Sequence, residues 1–146
     1  MDNKNIIINV RGVIINDSKL LIIKHLGDDF MALPGGHLKY REDVITCLKR
    51  ELVEELGVMP EIGRLLYINT FIEDKNSTEC VEFFFEVKNG KDYLNIEKLE
   101  RTHAHELSEI MWVSQKNDIE ILPIDFGNDF KNNNIDLNKT KFISEL

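Results

Sequence analysis

The sequence predicts an α+β fold: a mixed β-sheet packed between α-helices, an α/β/α sandwich built by one domain over residues 1–146. Three features predict it. Short runs rich in β-branched and aromatic residues are spread along the chain, which is the composition of strands. One longer segment carries apolar residues at spacings of three and four, as an amphipathic helix requires. No internal repeat or linker-like stretch divides the 146 residues, a length sufficient for one hydrophobic core.

Ile6 to Ile15 is β-branched and apolar, broken by Arg11 and Gly12, and reads as the first strand. Asn16-Asp17-Ser18 supplies a turn, and Leu20 to Ile23 reads as the returning strand of a hairpin. Met31 to Leu33 is a short apolar piece stopped by Pro34-Gly35-Gly36. After a polar loop, a helix is predicted from about Asp43 to Leu56, with Ile45, Leu48, Leu52 and Leu56 on its apolar face. Gly57 is placed to end it. Ile62 to Ile72 and Val81 to Val87 read as strands, with hairpin-loop composition between them at Asp74 to Thr78. Ile110 to Val113 reads as another short strand. A short helix is expected near Asn117 to Leu122, loop at Lys131 to Asn134, and a terminal helix over Lys139 to Leu146.

Eighteen basic against twenty-six acidic side chains give a formal net charge of −8. Such a surface repels long phosphate polymers, so no nucleic-acid polymer is expected as a partner. A small anionic ligand remains compatible, provided a cation sits between it and the acidic groups. Cys47 and Cys80 are too few and too far apart for a disulfide framework or a zinc site, and read as buried thiols. No signal-peptide pattern or long apolar span is present, so the expected location is cytoplasmic, without membrane association.

The chemistry concentrates in GHLKYREDVITCLKRELVEELGV, from Gly36 to Val58. Glu51, Glu54 and Glu55 stand at i, i+3 and i+4, so their carboxylates project from one face of one helix. Three clustered carboxylates repel one another, and a hard divalent cation with oxygen ligands offsets that repulsion. Mg²⁺ takes a few carboxylates, keeps several waters and completes its shell with phosphate oxygens. Arg50 adjoins the cluster and can grip a carboxylate in a fixed fork. Gly36 and Gly57 stand where a loop–helix–loop needs permissive backbone.

This segment resembles the Nudix box. Gly36, Glu42, Arg50, Glu51, Leu52, Glu54, Glu55, Gly57 and Val58 fill every specified position. The resemblance implies a Nudix fold and a Mg²⁺-dependent hydrolase, with Mn²⁺ as a possible substitute. It implies Glu51, Glu54, Glu55 and the Gly35 carbonyl as metal ligands, Glu42 as an assisting residue, and Arg50 as the group that orients the glutamates. The general base is expected either within the box, at Glu54, or in the loop Glu100 to Glu109 ahead of the Met111-Trp112-Val113 strand, where Glu106 is the first choice and Glu109 the second.

Substrate contacts are expected from Arg11 and Gly36. For Arg11 the competing reading is a strand-edge arginine reaching water. His103 and His105 lie in a polar loop, solvent-exposed or touching substrate. Tyr67, Phe71 and Phe83 to Phe85 belong either to the core or to a base-stacking surface. The implied substrate is a small-molecule nucleoside diphosphate linked to another moiety, handled by a monomer or homodimer. The short N-terminus leaves no room for an added dimerising domain, which points to a nucleoside triphosphate; ADP-ribose or a nucleotide sugar is the alternative, and a non-catalytic nucleotide sensor the rival.

Overall fold

The N-terminal β-branched run forms one long strand, β1 (Ile6–Asn16), that takes part in most of the sheet. The structure is a computed structural model and describes residues 5–73, 77–98 and 101–146. Along one side, Ile6 to Ile14 of β1 run parallel to β6 (Thr78–Val87). Along the other, Asn9 to Arg11 pair antiparallel with β4 (Gly35–His37). Ile15 and Asn16 then turn into β2 (Lys19–His25). Asp17 and Ser18 hold φ of 52° and 61°, the two left-handed residues of a twist-matched two-residue hairpin.

The other strands extend this frame. β3 (Met31–Ala32) and β7 (Leu107–Val113) pair antiparallel with β2, and β8 (Ile121–Leu122) runs parallel to β3. β5 (Ile62–Glu73) pairs antiparallel with β6, and β9 (Lys141–Ser144) closes that end parallel to β5. Among the described residues the order is β8-β3-β2-β1-β6-β5-β9, with β4 on β1 and β7 on β2.

Alternation along the strands sends side chains to two cores. Val10 and Ile14 of β1, with Leu21 and Ile23 of β2, pack with Cys47, Leu48, Leu52 and Leu56 of α1 (Val44–Leu56). Val13, Leu20 and Ile22 pack on the opposite side with Phe126 and Phe130 of α2 (Ile124–Lys131). The mixed sheet therefore lies between two helices. Tyr67 and Phe84 meet Phe126 edge-on, at centroid distances of 5.1 and 5.6 Å. The Tyr67 hydroxyl donates to Asp129 Oδ2 at 2.7 Å, tying β5 to α2. Tyr67, Phe84 and Phe85 are thus core residues rather than an open stacking surface.

Several expectations are corrected. Ile45, placed on the apolar face of α1, is exposed, and Cys47 occupies that face instead. No helix spans Asn117 to Leu122: Ser114 and Asn117 close a turn, Asn117 Oδ1 accepting from Ser114 N at 2.7 Å, and Ile121–Leu122 joins the sheet. The C-terminal segment is β9, because pairing with β5 gives it a complete ladder on one side. Helix α2 escapes the sequence reading because IDFGNDFK has only three large apolar residues and an internal glycine, and Phe126 and Phe130 bury it. Residues 74–76 of the expected hairpin loop lie outside the described residues. Among the described residues no helix is long and apolar enough to cross a membrane.

Candidate metal and phosphate site

Helix α1 starts and stops on local signals. Asp43 caps it, its Oδ1 accepting from Thr46 N at 2.8 Å. Gly57 ends it at φ 79°, its N–H donating to Val53 O at 2.9 Å. Between the caps, packing of Leu48, Leu52 and Leu56 on the sheet fixes the helix's rotation. The carboxylates of Glu51 and Glu55 are thereby set against Gly36 and Gly35 of β4.

Arg50 is the organiser of this face. Its Nε and Nη2 grip both oxygens of Glu42 at 2.8 and 2.9 Å. Nη1 donates to Glu51 Oε1 at 2.8 Å and to Glu54 Oε2 at 3.3 Å, and Nη2 also donates to His37 O at 3.1 Å. An arginine has five N–H donors, and these five contacts engage all of them within the protein. The bidentate bond to Arg50 holds the Glu42 carboxyl at about 2, far below its ordinary value of 4.5.

Glu51 moves the other way. Burial raises its pKa, and the charges of Glu55 and Glu54 add to the effect, against the pull of the Arg50 hydrogen bond. Glu55 is almost fully buried and accepts from Gly35 N at 3.3 Å, with His25 Nε2 at 3.1 Å from its other oxygen. Glu54 Oε2 lies 2.9 Å from His103 Nδ1. Cys47, buried beneath, has its thiol pushed up to about 12 by desolvation, which leaves it inert.

The two glycines have different functions. Gly35 holds φ 140°, and a Cβ there would fall 2.0 Å from Val10 O. At Gly36 the reason is contact, not backbone freedom: a Cβ would lie 2.5 Å from the Glu51 carboxyl carbon. Gly35→Ala is expected to cost on the order of 3 kcal/mol through backbone strain and overpacking. A lowered midpoint in thermal or urea unfolding would show it; an unchanged midpoint would mean that the β1–β4 pair relaxes freely.

The donor set suits a hard divalent cation. The three expected carboxylates and the Gly35 carbonyl offer only oxygen donors, as such a cation requires, and Arg50 spreads its single charge over Glu42, Glu51 and Glu54. Burial first, and then the charges of Glu55 and Glu54, keep the Glu51 carboxyl raised despite Arg50. Among the described residues, no three His, Cys, Asp or Glu side chains form a ready coordination shell. Glu54 is engaged by Arg50 and His103, so it must exchange those bonds to join one.

The expected loop is partly strand: Leu107, Ser108 and Glu109 already belong to β7. Glu109 pairs with Lys24 on β2 and is exposed. Glu106 ends a 3-10 turn, Ala104–Glu106, and its carboxylate is 3.9 Å from His103 Nδ1. The segment is docked on the end of α1: His103 N donates to Glu54 O at 2.8 Å, and Arg101 Nη1 to Glu55 O at 3.5 Å. His103 is therefore a neighbour of the cluster, whereas His105 is exposed. Glu100 lies outside the described residues.

Arg11 is not at a strand edge. It sits on β1 between β4 and β6, with Nε 2.8 Å from Glu82 Oε2 and Nη1 donating to Leu33 O at 3.1 Å. Burial lowers its pKa, and Glu82 more than offsets this, helped by the charges of Glu55 and Glu51. Arg11 is the register partner of Gly35, whose N–H donates to Glu55, so its position on β1 adjoins the carboxylate cluster. Sequence reasoning missed His25 and Glu82. Nothing local singled out Glu82, since β6 also carries Glu79 and Glu86.

The family model for the NUDIX domain matches residues 7–123 of the chain. A protein of Methanocaldococcus jannaschii named ADP-ribose pyrophosphatase is 32% identical over an alignment of 87 residues that covers 56% of this chain. The match spans about half, 52%, of that protein's length. Among solved structures, a MutT protein from Methanosarcina mazei superposes with a TM-score of 0.69 at 22% identity, covering 93% of this chain and 100% of the other. A structure titled ADP-ribose pyrophosphatase from Streptococcus suis gives 0.62 at 16%, covering 95% and 98%. At these identities the two structures bear on the fold alone.

Proposed function

This chain belongs to the NUDIX family, and from that premise we propose that it is a metal-dependent hydrolase of a nucleoside diphosphate linked to another moiety. The observation that carries the reading is the carboxylate set of α1, organised by one arginine and packed against the two glycines of β4. Glu51, Glu54, Glu55 and the Gly35 carbonyl would hold Mg²⁺, with Mn²⁺ as a substitute. Bound there, the cation would supply Lewis-acid polarisation of the phosphoryl oxygens and offset the charge of the diphosphate.

The chain's own groups divide the remaining work. Arg50 holds Glu42, Glu51 and Glu54 in place and, with its donors engaged, does not contact substrate. Gly36 leaves open the space in front of Glu51. Arg11 contacts a phosphate oxygen. Glu106 accepts the proton of the attacking water, a role its exposed carboxylate beside His103 suits. The two unpaired, buried thiols fit a reducing compartment, and we assign the protein to the cytoplasm.

Two substrate classes follow from this reading. A nucleoside triphosphate would give the monophosphate and pyrophosphate. ADP-ribose would give AMP and ribose 5-phosphate, and the 32% identical relative named for that activity favours it. A panel of both classes and nucleotide sugars, assayed with Mg²⁺ and then Mn²⁺, tests the function. Metal-dependent cleavage of any member upholds the hydrolase, and the products choose the class. Ligand binding with no cleavage across the panel would instead mark a nucleotide sensor.

Stability gives an independent check. Ionised Glu51 has its folded pKa raised, so its charged form costs stability at neutral pH, and that cost disappears as pH falls through the raised value. Mg²⁺ is expected to raise the Tm of the wild type by mass action. Glu51→Gln is expected to start higher in metal-free buffer and to gain less from Mg²⁺. A variant that gains as much as the wild type would remove Glu51 from the ligand set.

A further inference from the structure

On the α2 side of the sheet, β1, β5 and β6 bring polar groups together outside the Nudix box. Glu82 of β6 lies at their centre with only 5% of its surface exposed, and Asn9 and Asn69 are likewise buried. Its Oε2 accepts from Arg11 Nε at 2.8 Å and from Asn9 Nδ2 at 3.4 Å. Its Oε1 accepts from Asn69 Nδ2 at 3.1 Å. Asn9 Oδ1 in turn meets His37 Nδ1, its register partner on β4.

This arrangement is costly. Burying a charge pair rarely stabilises a fold better than apolar filling. Donating to Glu82 also commits the Asn69 amide nitrogen, so its Oδ1 is left buried without a partner among the described residues. What the network achieves is orientation of one guanidinium. Nε is fixed by Glu82 and Nη1 by Leu33 O. Nη2 donates to no acceptor among the described residues, and 14% of the side chain's surface is exposed.

We propose that Glu82 is a positioning residue for substrate: it anchors Arg11 so that the free Nη2 donates to a phosphate oxygen next to the carboxylate cluster. The inference rests on the reading of Arg11 as a phosphate contact. Two anchored nitrogens leave little rotamer entropy to lose on binding, which a lysine or an unanchored arginine would forfeit.

The test compares Glu82→Gln, Arg11→Met and the double variant with the wild type. Three quantities are read: Tm, the Kd for inorganic pyrophosphate with Mg²⁺ by calorimetry, and KM against kcat on the best substrate of the panel. Each single variant leaves a buried group unpaired and is expected to lose Tm, and the double variant to recover much of it. Pyrophosphate Kd and KM are expected to rise about tenfold or more in all three, the loss of a charge-assisted hydrogen bond, with kcat changed less. Glu82→Gln should add little once Arg11 is gone.

Wild-type pyrophosphate affinity in Glu82→Gln, or recovery of affinity together with Tm in the double variant, would overturn the proposal and leave a purely structural ion pair. If Glu82→Gln does not fold, Glu82→Asp, which keeps the charge but shortens the reach to Arg11 Nε, takes its place, and wild-type pyrophosphate affinity in it would overturn the anchoring. A wild type that binds pyrophosphate but cleaves no nucleotide would defeat the hydrolase reading while leaving this one standing. An Arg11→Met enzyme with unaltered KM and pyrophosphate affinity would defeat the phosphate contact and the anchoring together.

Discussion

Glu54→Gln is expected to lower kcat by about two orders of magnitude or more, with the fold retained. The residue is well suited to separate function from structure. Its side chain is one-fifth exposed and lies on the outer part of the carboxylate face. Glutamine keeps its shape and one acceptor for Arg50 Nη1 and His103 Nδ1, so packing is undisturbed. What it lacks is the anionic oxygen required of a cation ligand. Steady-state turnover, Tm and Mg²⁺ titration on the same preparation check the result. A fully active variant with unaltered Mg²⁺ affinity would take Glu54 out of the ligand set.

Arg50→Lys is expected to reduce kcat by roughly a hundredfold and to cost about 2 kcal/mol of stability, despite conserving charge. An ammonium is a point charge with three donors. It cannot reproduce the two-bonded grip on Glu42 while also reaching Glu51, Glu54 and the His37 carbonyl. The acid limb of stability should carry its signature. Glu42 has a depressed folded pKa, so its contribution is full above about 4.5 and is lost as pH falls through about 2. The Tm gap between wild type and variant should therefore narrow across that window. A gap that stays constant to pH 2 would mean that the Arg50–Glu42 pair is not the source of the stability.

Both predictions draw on a region that the sequence made legible residue by residue. The Nudix helix is local information: capping reaches three residues from Asp43 to Thr46, and Glu51, Glu54 and Glu55 share a face by helical spacing alone. Arg50 acts mostly on neighbours within eight residues. The periodic strands β1, β2, β5 and β6 were legible for the same reason, since alternation and β-branching are written along each segment.

Where the deciding contact comes from far along the chain, local pattern carries no signal. Helix α2 has too few apolar residues to announce itself and exists because Phe126 and Phe130 fill the core beneath β5 and β6. The strands β8 and β9 are two and four residues long, and only pairing with β3 and β5 makes them strands. The same holds in the site. His25 meets Glu55 across 30 positions and Arg11 meets Glu82 across 71. Composition and spacing determined which residues could bind a cation. The tertiary structure alone decided which remote partners hold them, because hydrogen bonds across a sheet obey register rather than sequence distance.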